Sequence, residues 1–415
     1  MNRTRIAAIL LIALSASPAF PGAPPREDPG DARIAAALEA IRFEHRVPAL
    51  AGAILTGDGI VAIGAAGVRK AGTDVAVTAD DQWHLGSDTK AMTATLIGVL
   101  VEQGKLEWTT TLEQVFPDIA AGFAPELRRV SLLQLLSHRA GLPANLPWFA
   151  LAKPDKSLRE QRLDAVRALA NVKLLSEPGS AYLYSNLGYV IAGAVVERKL
   201  SKSWEEAISE LVFAPLGMTS AGFGGLGTPG LIDQPWGHNA EGKPVPKNGP
   251  EVDNPAVLGP AGTVHATLRD WAKFVADQLR AGRGGKALLK PKTYMQLHTP
   301  PFGGDCALGW LLTERDWGGG TVMTHAGSNT MNFAVVWMTS PAVQRSPGAA
   351  IDQRSDALRI ETPDGRRSPK GDFAVLVVTN QGGPAATKAC DAAAGALIKL
   401  FRAISARHVS TSSPL

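Results

Sequence analysis

Apolar and polar positions along this chain divide it into an early strand pair, a long helical stretch and a late group of strands. Ile34, Leu38 and Ile41 fall on one stripe of helical period, which predicts a helix over 31–46 that stops before Pro48. Two apolar runs, 49–55 and 60–68, read as strands joined by the hairpin signal Thr56-Gly57-Asp58-Gly59. An apolar helix opens at Ser87, and the pattern leans helical to about residue 300. Within that stretch 131–137 is a short amphipathic helix stopped at Ala140-Gly141-Leu142-Pro143, and 187–199 and 204–213 are further helices. The segment 267–279 is another, with Thr267 as cap and Asp270 at N3 in an imperfect capping box. Strand patterns return at 307–313, 321–327, 332–338 and 373–379, and a helix with Cys390, Ala394, Leu397 and Phe401 on one stripe closes the chain over 385–404.

Two strands come early and four late, with helices at both ends. An antiparallel sheet built from the two sequence ends and flanked by the terminal helices satisfies the layer rules. The predicted class is therefore α+β. The sheet part comprises 31–85 and 301–405, and a mostly helical part over 86–300 stands beside it, with a cleft at the seam as the expected ligand site. The polar stretch 340–371 reads as an exposed insertion.

The first residues carry a second kind of signal. Arg3 and Arg5 precede the apolar run 6–14, and Ser17 and Ala19 are small residues at cleavage spacing, so 1–19 reads as a signal peptide cut after Ala19. Residues 20–30 are then a Pro-rich linker, and the mature chain is expected in the periplasm or secreted, without stable membrane insertion. The alternative is an uncleaved anchor, but the run is short for a membrane span. No cysteine near the cut is available for a lipid.

Composition changes this picture little. The chain has 415 residues, 45% apolar and 19% charged, ordinary for a globular protein. Its net charge of +4 falls to +2 without Arg3 and Arg5, too small a bias to point to nucleic acid. Two cysteines, Cys306 and Cys390, leave open either a single bridge or two packing residues.

Candidate chemistry centres on Ser87-Asp88-Thr89-Lys90. A serine at a helix start with a lysine three residues on places hydroxyl and amine on one face, as a nucleophile with a built-in base requires. Lys90 serves only as a free amine, so burial or nearby positive charge must lower its pKa; Tyr184 is the other candidate base, if a protonated Lys90 lowers its phenol. Asn186 shares a face with Tyr184 if that segment is extended, where its amide holds Lys90 and a substrate carbonyl. Gly327 ends a strand where a substrate backbone can approach, and the backbone N–H groups of Ser87 and Ser328 are the expected oxyanion donors. His84, His138, His238, His265 and His298 lack metal-ligand spacing and read as structural or exposed. No G-x-S-x-G, H-E-x-x-H or G-x-x-x-x-G-K-[ST] motif occurs. No metal or cofactor is expected.

Ser87-x-x-Lys90, Tyr184-x-Asn186 and His325-x-Gly327, in this order, resemble the motifs of the serine β-lactamase and penicillin-binding-protein superfamily. The likeness is strongest to its branch of class C β-lactamases, D-alanyl-D-alanine carboxypeptidases, D-aminopeptidases and esterases. SLLQLLSHRAGLP, EPGSAYLYSNLGYVIAGAVVE and PAGTVHATLRDWAKFV extend the likeness over roughly 31–403. The resemblance implies Ser87 as nucleophile, Lys90 and Tyr184 as the base system, and Asn186 and His325 facing substrate. One departure stands out: His325 replaces the lysine usual in the third motif, and Ala326 lacks a hydroxyl, which weakens carboxylate recognition and leaves acylation intact. The expected function is cleavage of an ester or amide in a small-molecule or peptide substrate. The alternatives are a β-lactamase or D,D-carboxypeptidase, and a non-catalytic protein binding peptides or wall fragments.

Overall fold

The computed structural model describes residues 30–281, 286–339 and 372–411, with side chains to residue 404. The expected signal segment, nearly all of the linker and the 340–371 insertion lie outside the described residues.

The helix Ala32–His45 is capped by Asp31, whose carboxylate accepts from the Arg33 N–H at 2.9 Å, and it ends where Arg46 turns left-handed before Pro48. Among the described residues nine strands follow: β1 (Ala49–Thr56), β2 (Gly59–Gly67), β3 (Gln82–His84), β4 (Gly222–Phe223), β5 (Val264–Thr267), β6 (Leu311–Arg315), β7 (Gly320–Ser328), β8 (Phe333–Thr339) and β9 (Phe373–Thr379). Six form an antiparallel sheet in the order β2-β1-β9-β8-β7-β6, so chain-terminal segments meet at its centre, with Ala53 opposite Leu376. The fold is α+β, with the antiparallel sheet built from both ends of the chain as the pattern predicts.

Burial explains why 373–379 is apolar without a break. Phe373, Val375 and Val377 pack with Ile34, Leu38, Ile54 and Leu397 under the terminal helices, Ala32–His45 and Gly383–Thr411. Ala374, Leu376 and Val378 point the other way, with Ala51 and Ala53, into a larger core that also takes in the helix Leu268–Ala281. A strand covered on both faces has no polar side to alternate with.

Three expectations change, and the question left open for the cysteines is answered. The 307–313 strand starts only at Leu311, because Ala307–Trp310 close a turn through an Ala307 N–H to Trp310 carbonyl bond of 2.9 Å. The 204–213 helix is α-helical over Trp204–Ile208 and then widens to a π-turn over Ser209–Phe213; Pro215, with no N–H for the carbonyl of Leu211, lies two residues beyond. The 86–300 stretch contains β4 and β5, which pair with β3 in a second sheet of order β3-β5-β4. Cys306 and Cys390 are free and buried, Cys390 in the cluster under the terminal helices and Cys306 in the turn before β6, so no bridge forms. The capping expectation at Thr267 holds in half: its hydroxyl accepts the Asp270 N–H at 3.2 Å, while the Asp270 carboxylate turns to Ser220 and Lys273.

Leu38, fully buried between helix and sheet, is a measure of this packing. Leu38→Ala is expected to destabilise the protein by about 2–5 kcal/mol in urea unfolding.

Candidate active site

The Ser87 turn begins where β3 ends. Gly86, at φ +51°, starts one 3-10 turn over Gly86–Asp88, and the helix Thr89–Glu102 continues from it. Ser87 and Lys90 therefore lie one turn apart, with Lys90 Nζ 2.9 Å from Ser87 Oγ. The Lys90 side chain is fully buried and donates also to Asn186 Oδ1 at 2.8 Å and to the Ala261 carbonyl at 2.6 Å. Three oxygens thus surround one amine.

The second segment arrives from a distance of about a hundred residues. Ser185 is extended, and its Oγ caps the helix Asn186–Leu200 by accepting the Gly188 N–H at 3.1 Å. Tyr184 precedes the cap and places its hydroxyl 2.7 Å from Ser87 Oγ, and Asn186 opens the helix beside Lys90.

The third segment is the end of β7. β6 pairs with β7 only as far as Thr324, so one edge of 325–328 runs on past it towards the Ser87 turn. The approach is close enough to need glycine on both sides. A Cβ on Gly86 would lie 2.3 Å from the Ser328 nitrogen, and one on Gly327 would lie 2.0 Å from the Leu85 carbonyl oxygen and 2.4 Å from the Ser87 nitrogen. His325 is buried, with Nδ1 2.8 Å from the Gly309 carbonyl, so Nδ1 carries the proton and Nε2 is bare.

The electrostatics separate these groups. Burial brings the Lys90 ammonium down to about 7, against the opposing charge of Asp88. Tyr184 is 38% exposed, yet its surroundings desolvate the phenol and raise it above its ordinary value despite the bond to Ser87. This corrects the expectation of a lowered phenol: desolvation is the largest influence on it and outweighs the bond to Ser87. Burial, aided by the Lys90 charge, holds His325 down to about 4, so it is neutral at pH 7. Asp88 is buried beside Lys90 with no hydrogen-bond partner for its carboxyl among the described residues, and burial raises it well above the carboxylate range.

Sequence reasoning missed three contributors. The Ala261 carbonyl is backbone and leaves no side-chain signal. Asn145 Oδ1 accepts from Asn186 Nδ2 at 2.9 Å and from the Trp148 indole at 2.9 Å, which turns Asn186 Oδ1 towards Lys90. His138, taken as structural or exposed, is buried at φ +58°; its carbonyl accepts the Leu183 N–H at 2.8 Å, its Nδ1 the Ser185 N–H at 3.0 Å, and its ring lies 4.6 Å from that of Tyr184. The residues on both sides of Tyr184 are thus held by one histidine. Among the described residues no cluster of three or more His, Cys, Asp or Glu side chains is placed to hold a metal.

A family model described as Beta-lactamase matches residues 31–399. The chain belongs to the β-lactamase family. Its relatives in that family, serine hydrolases of one fold, include penicillin-binding protein 4 of Amycolatopsis lactamdurans, 35% identical over 44% of this chain and 46% of that protein. An unguisins hydrolase of Aspergillus campestris is 26% identical over 54% of this chain and 44% of that one. The chain spans less than half the length of these two relatives. Among solved structures, a D-alanine carboxypeptidase from Burkholderia cenocepacia superposes with a TM-score of 0.62 at 18% identity, over 88% of this chain and 97% of that chain. A class C β-lactamase from Rhodobacter sphaeroides gives 0.63 at 18% identity, over 89% and 100%. At such identities the likeness establishes the fold of the β-lactamase family and nothing finer.

The buried His325 is expected to remain the neutral Nδ1–H tautomer from pH 8 down to about 5 in nitrogen–proton correlation spectra of the imidazoles. An imidazolium at pH 6 would contradict the arrangement.

Proposed function

We propose that this chain is an exported serine hydrolase that cleaves an ester or amide through an acyl-enzyme on Ser87. The observation that carries the reading is the double contact of Ser87 Oγ, 2.9 Å from Lys90 Nζ and 2.7 Å from the Tyr184 hydroxyl.

The reaction follows from the contacts. A neutral Lys90 has two N–H bonds and one lone pair. Asn186 Oδ1 and the Ala261 carbonyl accept the two N–H bonds, and the lone pair is left for the Ser87 proton. Ser87 Oγ attacks the substrate carbonyl carbon, and its proton passes to Lys90. The oxyanion forms against the backbone N–H groups of Ser87 and Ser328. Tyr184, kept protonated by its raised pKa, stands where it can pass a proton to the leaving group and recover one from Lys90. Two titratable groups pushed apart in pKa divide the base and acid roles. Water then attacks the acyl-enzyme by the reverse path.

His325 argues for substrates without an obligatory carboxylate. A buried neutral imidazole whose N–H is committed to Gly309 offers no cation to an anion. Ala326 adds no hydroxyl. β-Lactams and D-alanyl peptides are the second reading, favoured by the fold shared with carboxypeptidases and class C β-lactamases.

A fluorophosphonate is expected to label the wild type and not Ser87→Ala; absence of label on the wild type would favour a binding protein instead. Side-by-side turnover should favour a short acyl ester over a chromogenic cephalosporin and a D-alanyl-D-alanine peptide by at least about tenfold in kcat/KM, and the reverse order would give the second reading. For the ester, kcat/KM should rise as pH climbs through about 7, where Lys90 loses its proton. A profile flat from pH 5 to 9 would remove Lys90 from the base role.

A further inference from the structure

Behind the nucleophile, three buried side chains outside the chemistry above form one hydrogen-bonded chain. The Gly86 N–H donates to His84 Nδ1 at 3.1 Å. Because Nδ1 accepts there, the ring proton sits on Nε2, which faces Asp253 Oδ2 at 2.7 Å. The other carboxylate oxygen accepts from Asn329 Nδ2 at 2.9 Å. Asn329 is itself fixed, since its Oδ1 accepts the Met331 and Asn332 N–H groups at 3.2 and 2.9 Å. His84 and Asp253 side chains are 0% and 3% exposed, so bulk water does not compete for these bonds.

The placement of the two ends gives the chain its meaning. One end holds the residue immediately before Ser87, and the other is the residue immediately after Ser328. Between them the backbones of Gly86 and Gly327 are in contact with no room for a side chain. A change in length or direction of the His84–Asp253–Asn329 chain therefore alters the gap between the Ser87 and Ser328 N–H groups. The geometry points to Asp253, with His84 and Asn329, as positioning residues that set the spacing of the two oxyanion donors. This rests on the reading of Ser87 as nucleophile. Asp253 touches no reacting atom and acts through the backbone at either end.

The chemistry also explains why residue 253 is an aspartate. Two N–H donors converge on it, and only a carboxylate accepts both. An asparagine there satisfies one and opposes the other with its own NH2. His84 cannot relieve the conflict by changing tautomer, because a proton on Nδ1 would then face the Gly86 N–H.

The test uses the whole purified chain. Active sites are first counted by fluorophosphonate labelling, and kcat and KM are then measured per labelled site on a short acyl ester. The Ki of an alkyl boronic acid, whose tetrahedral adduct places an oxygen between the two donors, is the second readout. In Asp253→Asn, kcat per site is expected to fall about 10–100-fold, somewhat less than the loss on deleting an oxyanion donor. KM should stay within about threefold and the boronate Ki should rise with the fall in kcat. Asn329→Asp keeps the acceptor for Met331 and Asn332, sets like charge against Asp253, and is expected to act in the same direction; it decides alone if Asp253→Asn does not fold. If a folded variant keeps kcat per site and boronate Ki within about twofold and loses only thermal stability, the chain is a structural brace and the proposal is wrong. Failure of the Ser87 reading shows separately, as a wild type that takes no label, and removes the proposal with it.

Discussion

A lysine amine with no access to water organises this molecule. Lys90 Nζ is reached by oxygens from the 3-10 turn that leads into its own helix, from the start of a helix ninety-six residues on and from the short helix Gly259–Gly262, a further seventy-five residues along. An ammonium buried without partners would cost several kcal/mol even after relaxation, so these segments are bound to converge wherever Lys90 is placed. That short helix is tied again by Thr93 Oγ1, which donates to the Pro260 carbonyl at 2.8 Å, and just beyond it the N–H of Val264, which opens β5, donates to Thr89 Oγ1 at 3.1 Å. Packing of the apolar Thr89–Glu102 helix and satisfaction of one amine are thus one constraint, and the position of Ser87 follows from it.

The same burial sets the chemistry. Desolvation penalises charge, so it lowers an amine and raises a phenol. Lys90 and Tyr184 start with nearly equal reference values and move apart, the amine down to about 7 and the phenol above its ordinary value, although both touch one hydroxyl. The contact alone would leave the two roles exchangeable. In the proposed reaction, desolvation of the site divides base from acid.

Side-chain chemistry at short spacing was legible in the sequence, and so were long runs of one period. Ser87 and Lys90 share a helix turn, Tyr184 and Asn186 straddle a cap, and β9 coincides with the apolar run 373–379. What escaped has a physical reason in each instance. β5 is four residues long and is hidden between Gly262-Thr263 and the Leu268–Ala281 helix. The Ala261 carbonyl is common to every residue type. Asn145 and His138 act by fixing the orientation of a neighbour, which no period or spacing records. The phenol shift was misread because charge proximity can be guessed from motifs, whereas desolvation depends on the closed fold.

The two glycines tie the Ser87 turn to the sheet. Without side chains at 86 and 327, β7 meets the Ser87 turn backbone to backbone, so both sets of N–H groups belong to rigid elements: a helix start and a strand hydrogen-bonded to β8. In the proposed reaction a donor pair built in this way need not reorganise as charge develops, which is the source of its value to an acyl-transfer transition state. The third motif then contributes chiefly its backbone. That accounts for a residue 325 with no cationic role: His325 anchors the strand to Gly309 through Nδ1, and its neutral ring keeps the neighbouring amine from meeting a second positive charge.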